Sequence, residues 1–195
     1  MSSDTSYLLV GLGNPGREYR NSRHNVGFML MDRIAVRLDA RGMKVQSKAI
    51  VMSAIYEDRK LILAKPQTFM NLSGQSVQGL IHFYKLPLTN VLIAHDDLDI
   101  PFGTIRLRPG GGPGGQKGMA STIEQLGTKA FPRLRIGIGR PPGRMDPSAY
   151  VLQDFSRDEM KILSEIIDRA ADAALEFVIN GLDIAMNRYN GSIEI

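Results

Sequence analysis

Apolar and polar positions along the chain follow two patterns. Short continuous apolar runs, which are typical of strands buried on both faces of a sheet, occupy residues 7–10, 91–95 and 134–139. Between them lie longer segments in which apolar residues recur every three or four positions, as in helices with one buried face. Strands that alternate with helices in this way predict an α/β layer fold.

The shorter predicted helices are residues 72–84, 119–126 and the first helix, 26–40. Asn25 is the predicted N-cap of the first helix and Gly42 its predicted stop. Its buried face is predicted from four apolar residues at intervals of four: Val26, Leu30, Ile34 and Leu38.

The longest predicted helix begins at a capping box formed by Ser156 and Glu159 and ends at Gly181. A final short helix is predicted at residues 182–189. The long helix is expected to bury one row of side chains: Met160, Leu163, Ile167, Ala170, Ala174 and Val178.

An antiparallel hairpin is predicted from residues 44–56 and 60–64, and a short strand at 104–108. Because a hairpin adds antiparallel pairing, the predicted fold class is α/β, with a mixed, mostly parallel twisted sheet and helices on both faces. No repeat or linker divides the chain. Residues 1–195 therefore form one predicted domain, with residues 1–6 as a disordered N-terminal extension.

Composition narrows the possible functions. Apolar residues make up 43% of the 195 residues and charged residues 23%, which is ordinary for a globular domain. The absence of cysteine excludes disulfides and thiolate chemistry, and no apolar run approaches the roughly 20 residues of a membrane span. The polar N-terminus lacks the features of a secretory signal, so we expect a cytoplasmic protein. Its net charge of +4 permits an acidic partner such as nucleic acid.

A polar loop connects the first strand to the first helix and ends in a histidine. It contains Gly11, Gly13 and Gly16 in the spacing of a dinucleotide-binding fingerprint. That fingerprint starts a helix at the third glycine, whereas Pro15 and the polar residues after it delay the helix to about residue 25. We therefore favour chemistry centred on His24, because histidine is the side chain that titrates closest to neutral pH.

Five stretches of the chain, taken in order, resemble one known family. They are Gly13–Gly16 with Arg23–Asn25, Phe69–Gly74, His95–Asp99, the glycine-rich run Pro109–Gly118, and Arg133–Gly139. Together they resemble the bacterial peptidyl-tRNA hydrolases, and the resemblance covers residues 8–189. It implies a single α/β domain that hydrolyses the ester between a peptide and the 3′ end of tRNA, which releases the tRNA for reuse in translation.

The resemblance also implies roles for individual residues. His24 is expected to act as the general base and Asp96 to orient it. Arg108 and Arg135 are expected to contact tRNA phosphate at the acceptor stem. Six residues are expected to bind the CCA end and the peptide: Asn14, Tyr19, Phe69, Met70, Asn71 and Lys117. The family acts as a monomer without metal or cofactor, so we expect peptidyl-tRNA as the partner, no obligate protein partner and no membrane association.

The chain departs from the family pattern in the glycine-rich run. The family commonly has Gly-His-Asn-Gly where this chain has Gly115-Gln116-Lys117-Gly118. An asparagine amide that helps to hold substrate is thereby replaced by an ammonium group, which donates hydrogen bonds but cannot accept them. The role of that asparagine is assigned to Lys117.

The residues alone leave alternatives open. A metal could be ligated by His95, Asp96, Asp97 and Asp99, although adjacent strand residues point to opposite faces and make a poor chelate. Asn71 could be only the N-cap of the following helix. Seven basic residues could form a solvated face instead of a phosphate-binding surface: Arg106, Arg108, Lys117, Arg133, Arg135, Arg140 and Arg144.

The alternative function is an RNA-binding protein on the same fold that performs no hydrolysis. Lys117, which stands where the family commonly has asparagine, leaves that interpretation open. The enzyme is favoured because the other expected site residues His24, Asp96, Asn14 and Asn71 are all present.

Overall fold

A central sheet of eight strands forms the middle layer of the protein, a computed structural model of which describes residues 5–193. The strands are β1 (Ser6–Gly11), β2 (Arg41–Gln46), β3 (Ala49–Tyr56), β4 (Arg59–Pro66), β5 (Val91–Asp97), β6 (Thr104–Arg108), β7 (Arg133–Gly137) and β8 (Gly191–Ser192). Their order across the sheet is β2-β3-β4-β1-β5-β7-β6-β8. The four central strands run parallel, and the outer strands pair antiparallel.

Helices pack on both faces of the sheet. They are α1 (Val26–Arg37), α2 (Ser73–Tyr84), α3 (Lys117–Leu126), α4 (Pro147–Val151), α5 (Arg157–Asn180) and α6 (Leu182–Tyr189). Leu9 of β1 faces a core shared with α1 and α4–α6, whereas Leu8 and Val10 face a second core shared with α2 and α3. The predicted fold class is confirmed. No helix in residues 5–193 is long and apolar enough to cross a bilayer.

Helix α1 crosses the carboxyl end of β1 at very short range. A Cβ atom on Gly11 would lie 2.0 Å from the carbonyl oxygen of Gly27, so this approach requires glycine. The segment after Gly16 forms two short 3-10 turns, Arg17–Tyr19 and Arg23–Asn25, before α1 begins at Val26. The glycine spacing therefore serves packing, and no helix opens at the third glycine as a dinucleotide site would require.

The prediction of one continuous strand over residues 44–56 is wrong, because the chain turns within that region and forms two strands. β2 and β3 are joined by a tight turn at Ser47 and Lys48, whose φ angles are 49° and 59°. Turns with positive φ usually contain Asn, Asp or Gly, so these residue types gave no signal. The predicted turn between residues 56 and 60 is confirmed as the β3–β4 connection.

The structure differs from the sequence prediction at the end of α1, at the start of α5 and in two short elements. α1 ends at Arg37 instead of residue 40, because the chain turns at Asp39, whose φ is 48°, and Gly42 already lies in β2. Met160 is 48% exposed, because the first turn of α5 buries no residue and packing begins at Leu163. The short elements α4 and β8 were not predicted.

The predicted disordered extension at residues 1–6 is too long. Ser6 begins β1, and the carbonyl group of Thr5 accepts a hydrogen bond from the backbone N–H of Lys60. Residues 1–4, the rest of that prediction, lie outside the described residues.

Candidate active site

A cavity of about 400 Å³ opens at the carboxyl ends of β1 and β5. Ligands of open α/β sheets bind at this edge, outside the carboxyl ends of the strands. Seven of the residues expected from sequence to form the site line it: Asn14, His24, Phe69, Met70, Asn71, Asp96 and Lys117. These residues come from five separate segments, which the sheet and helices bring together.

His24 and Asp96 form a buried hydrogen-bonded pair in this cavity. His24 Nδ1 lies 2.8 Å from Asp96 Oδ2, and the two side chains are only 9% and 2% exposed. An ionised carboxylate can only accept, so Nδ1–H donates to Asp96. In the neutral imidazole, this contact selects the tautomer whose lone pair is on Nε2.

Gln116, for which no site role was predicted, holds the other oxygen of Asp96. Its Nε2 donates to Asp96 Oδ1 at 3.1 Å, and its Oε1 accepts from the backbone N–H of Met119 at 2.6 Å. The second contact makes Gln116 the N-cap of α3 and fixes which way its amide points. Glutamine is not among the usual N-cap residues, so the sequence gave little signal for it.

Asn14 is held in place by Asn25 through two hydrogen bonds. Asn25 Oδ1 accepts from the backbone N–H of Asn14 at 2.8 Å, and Asn25 Nδ2 donates to the Asn14 carbonyl at 2.9 Å. Asn25 occupies the N-cap position of α1 as predicted, but its side chain makes these contacts and caps no helix N–H. Asn14 Oδ1 in turn accepts from the backbone N–H of Met70 at 2.8 Å, which leaves its NH₂ group to donate.

The segment before α2 presents three side chains to the cavity. Asn71 is exposed within the 3-10 turn Met70–Leu72, and α2 begins only at Ser73 with Leu72 in the N-cap position. The alternative in which Asn71 serves as that N-cap is therefore wrong. Phe69 is 61% exposed, whereas Met70 is almost fully buried.

Arg23 connects the turn that contains His24 to residues 150–159. Its guanidinium group donates to the carbonyls of Gln153 and Asp154 and to Glu159 Oε2, the last at 2.6 Å. It also lies over the ring of Tyr150, 4.4 Å from the centroid. The segment held in this way includes α4, which lines the cavity and was not predicted.

His95 points away from its neighbour Asp96, as expected for adjacent strand residues. Its Nδ1 is 2.8 Å from the Asp96 carbonyl oxygen, and its Nε2 is buried without a partner among residues 5–193. Burial lowers the pKa of His95 below its ordinary value, so the ring is neutral. Residues 5–193 contain no group of three or more His, Asp or Glu side chains that could hold a metal ion.

Arginines line one face of the neighbouring strands β6 and β7. Arg106 pairs with Arg135 and Arg108 with Arg133 across the antiparallel ladder, so all four start from the same face of the sheet. Arg133 is buried, with its guanidinium group on backbone carbonyls. Arg135 Nε donates at 2.8 Å to Asp97 Oδ2, and Asp97 lines the cavity. Arg135 thus contacts a residue of the cavity without lining it, and Arg108, which pairs with Arg133, does not line it either.

Tyr19 is the predicted site residue that lies apart from the others. It is half-buried at the end of the turn Arg17–Tyr19, where its carbonyl accepts from the backbone N–H of Ser22 at 3.0 Å. It does not line the cavity.

Comparisons with known proteins agree on one family. The peptidyl-tRNA hydrolase family matches residues 8–194. The chain is 49% identical to a peptidyl-tRNA hydrolase of Alkaliphilus metalliredigens over 185 residues, which is 95% of this chain and 100% of the relative. It is also 49% identical to one of Rhodococcus jostii, over 96% of this chain and 99% of that protein.

Solved structures give the same result. The crystal structure of peptidyl-tRNA hydrolase from Acinetobacter baumannii is similar with a TM-score of 0.89 and 36% identity, and 98% of each chain is covered. A complex of peptidyl-tRNA hydrolase with N-propanol gives a TM-score of 0.90 at 36% identity, over 97% of this chain and 96% of the other.

Proposed function

The chain belongs to the peptidyl-tRNA hydrolase family and is a hydrolase of peptidyl-tRNA, and from that premise we propose that His24 is its general base. The hydrogen bond of 2.8 Å between His24 Nδ1 and Asp96 Oδ2 carries this proposal. It fixes the tautomer in which Nε2 can accept a proton, and the buried carboxylate stabilises the imidazolium ion that results. Of the two functions left open by the sequence, the family assigns the enzyme.

The proposed reaction is hydrolysis of an ester by an activated water. His24 Nε2 takes a proton from the water as its oxygen bonds to the ester carbonyl carbon. The tetrahedral intermediate then breaks the bond to the terminal ribose oxygen, and the imidazolium ion returns the proton to that leaving oxygen. The products are the peptide acid and tRNA with a free 3′ end, and His24 is neutral again.

Substrate binding is proposed for the polar and apolar side chains around this pair. The NH₂ group of Asn14 and the exposed amide of Asn71 can donate to the water and to substrate carbonyls. Phe69 and Met70 offer apolar surface to the CCA end or the peptide, and Lys117 adds a donor. Tyr19 lies off the cavity, so its proposed contacts are with substrate that extends beyond it.

The phosphate contacts are proposed for Arg108 and Arg135. Both belong to the arginine face of β6 and β7, and Asp97 holds Arg135 through Nε, which leaves the terminal nitrogens for a phosphate. Contacts of this kind position the acceptor stem without reading its sequence.

We also propose that the enzyme needs no metal, cofactor or obligate protein partner. The His24–Asp96 pair supplies the base, and one chain contributes every proposed residue, which supports action as a monomer. Because peptidyl-tRNA arises during translation, the cytoplasm is the proposed location.

The experiment is the release of tRNA from N-acetyl-aminoacyl-tRNA by enzyme dialysed exhaustively against a chelator. The tRNA is folded with magnesium beforehand, so only the protein is depleted. We expect the same kcat/KM before and after dialysis. Activity that disappears and is then restored by zinc would overturn the metal-free mechanism.

A further inference from the structure

Helix α4 forms part of the wall of the cavity but is too short to be stable without tertiary contacts. It has five residues, fewer than the roughly 12 that an isolated helix needs in water. Pro147, Ser148 and Val151 of α4 line the cavity, as does Leu152 directly after it. The position of this wall relative to His24 must therefore come from contacts with the rest of the protein.

Tyr150 is a buried residue of α4 that makes such contacts. Its hydroxyl group donates to the Ile138 carbonyl at 3.0 Å. The guanidinium group of Arg23 lies over its ring, with the central carbon 4.4 Å from the ring centroid. A cation over an aromatic face is attracted more strongly when the contact is shielded from water. Two contacts thus fix Tyr150, one from Ile138 and one from Arg23.

The guanidinium group of Arg23 is itself held by three oxygen atoms. Its Nη1 donates to the carbonyls of Gln153 and Asp154, and its Nη2 donates to Glu159 Oε2 at 2.6 Å. Glu159 also accepts from the backbone N–H of Ser156, within the capping box of α5. Arginine suits this place because it combines a planar face for stacking with several donors in a fixed geometry.

Arg23 and His24 are neighbours in the turn Arg23–Asn25, so one residue links the proposed base to α4. We propose that Arg23 is a positioning residue for substrate binding: it sets the distance between α4 and His24, and thereby the width of the cavity in which the ester lies. The inference rests on the proposed function, because it takes the cavity around His24 as the place where the ester binds.

The base should stay in place when the guanidinium group is removed. The hydrogen bond between His24 and Asp96 does not involve the Arg23 side chain. The turn is also held through its backbone, because the N–H of Arg23 donates to the Gln153 carbonyl at 3.0 Å. Loss of the side chain should therefore release α4 without moving His24. A change of this kind raises KM more than it lowers kcat.

The test measures KM and kcat for N-acetyl-aminoacyl-tRNA at a temperature well below the Tm of every variant. Arg23→Met removes the guanidinium group and keeps an unbranched side chain. Glu159→Gln is the milder variant, because its amide oxygen can still accept from Ser156 N–H while the ion pair with Arg23 becomes a neutral contact. Arg33→Met is the matched control, since Arg33 joins α1 to Asp168 of α5 outside the cavity.

We expect KM to rise on the order of five- to fiftyfold in Arg23→Met and less in Glu159→Gln, while kcat stays within about threefold of wild type. Arg33→Met should keep the wild-type KM and kcat, whatever its effect on Tm. A merely structural role for Arg23 would lower Tm and leave KM unchanged.

Leu152→Ala tests whether Arg23 acts through the wall. Leu152 lines the cavity and is 44% exposed, so its truncation changes the wall without opening a hole in the core. It should raise KM as well. The double variant Arg23→Met/Leu152→Ala should have a KM close to that of Arg23→Met, because a displaced wall has already lost the Leu152 contact.

An Arg23→Met enzyme with the KM of Arg33→Met would overturn the proposal, as would a double variant in which the two KM effects multiply or a wild-type KM in Leu152→Ala. If Arg23→Met does not fold, Glu159→Gln decides, and a wild-type KM there overturns the proposal too. Failure of the proposed function gives a different result, because His24→Ala would then keep the wild-type kcat whatever the residue at position 23.

Discussion

Gln116 donates a hydrogen bond of 3.1 Å to Asp96 Oδ1, the carboxylate oxygen that His24 does not contact. Asp96 is only 2% exposed, and burial of a carboxylate raises the free energy of the folded protein unless new hydrogen bonds replace those made with water. His24 and Gln116 together supply one donor to each oxygen of Asp96. We infer that Gln116 is a positioning residue, which acts on the reaction through Asp96.

The Gln116→Glu variant tests that role with almost no change in shape. A glutamate can still accept from Met119 N–H and cap α3, but it replaces the donor to Asp96 with a second carboxylate. Loss of a hydrogen bond to a charged group is worth about 1.5–3 kcal/mol, so kcat should fall by roughly 10- to 100-fold. Two carboxylates that share a site also raise one pKa, so the acid limb of the kcat profile should move to higher pH.

Gln125→Glu is the matched control, since it makes the same charge change on α3 outside the cavity. It should keep the wild-type kcat and pH profile, and thermal denaturation of both variants separates catalysis from folding. A Gln116→Glu enzyme with normal kcat and a normal pH profile would return Gln116 to a capping role alone.

The arginine face predicts how tRNA binding responds to charge removal. Replacing both Arg108 and Arg135 with alanine should raise KM for full-length substrate across different tRNAs and leave kcat much closer to normal. The slope of log affinity against log salt should flatten by roughly 0.7–0.9 for each phosphate group that the variant no longer binds. Removing the 5′ phosphate from the tRNA should weaken wild type more than the double variant.

Arg41→Ala combined with Lys48→Ala removes the same charge at the opposite edge of the sheet, on β2 and the turn after it. That control should leave the salt slope near the wild-type value. If dephosphorylation weakens wild type and the Arg108/Arg135 variant equally, the two arginines do not hold the terminal phosphate.

Burial of His95 predicts an acid-sensitive stability. Its pKa is lowered in the folded state, so below the ordinary histidine pKa of about 6.5 the unfolded chain binds a proton that the folded protein does not. The resulting loss of stability is absent above that pH and grows as the pH falls, by up to about 1.4 kcal/mol per pH unit. The Tm of wild type should therefore drop between pH 7 and pH 5.

His95→Asn keeps a donor for the Asp96 carbonyl and removes the titration, so its Tm should depend less steeply on pH over the same range. The comparison uses slopes, because the smaller side chain lowers Tm at every pH. His82→Asn changes an exposed histidine on α2 and should keep the wild-type slope. Parallel slopes for wild type and His95→Asn would contradict this explanation.

The fold could be predicted because its signals are local. The apolar run at β5 and the spacing of Leu163, Ile167 and Ala170 on α5 each identify an element from neighbouring residues. Strand order could not be predicted, since β7 lies between β5 and β6 only through pairing between distant residues. The β2–β3 turn was missed because Ser47 and Lys48 adopt positive φ without the usual residue types.

Sequence motifs could identify candidate site residues, but they could not show which of those residues contact one another in the folded protein. His24 and Asp96 are 72 positions apart, and their contact exists only in the folded chain. The contacts of Asn25 with Asn14 and of Gln116 with Asp96 were not predicted for the same reason, since neither pair is adjacent in the sequence. Arg23 reaches Glu159 of α5 across 136 positions and lies over the ring of Tyr150 in α4, contacts that no local pattern shows.

In the proposed mechanism, His24 is oriented by Asp96 and removes the proton from the attacking water. The direct measurement is single-turnover hydrolysis of N-acetyl-aminoacyl-tRNA by wild type, His24→Ala, Asp96→Asn and the double variant. The substrate Kd is determined in parallel, which separates chemistry from binding. His82→Ala serves as the control for loss of a histidine outside the cavity.

We predict that His24→Ala slows the reaction by about 10²- to 10⁴-fold while Kd changes little. Asp96→Asn should also slow it, and the double variant should be no slower than His24→Ala, because the two residues act as one unit. A His24→Ala enzyme that hydrolyses the substrate at the wild-type rate would contradict the account.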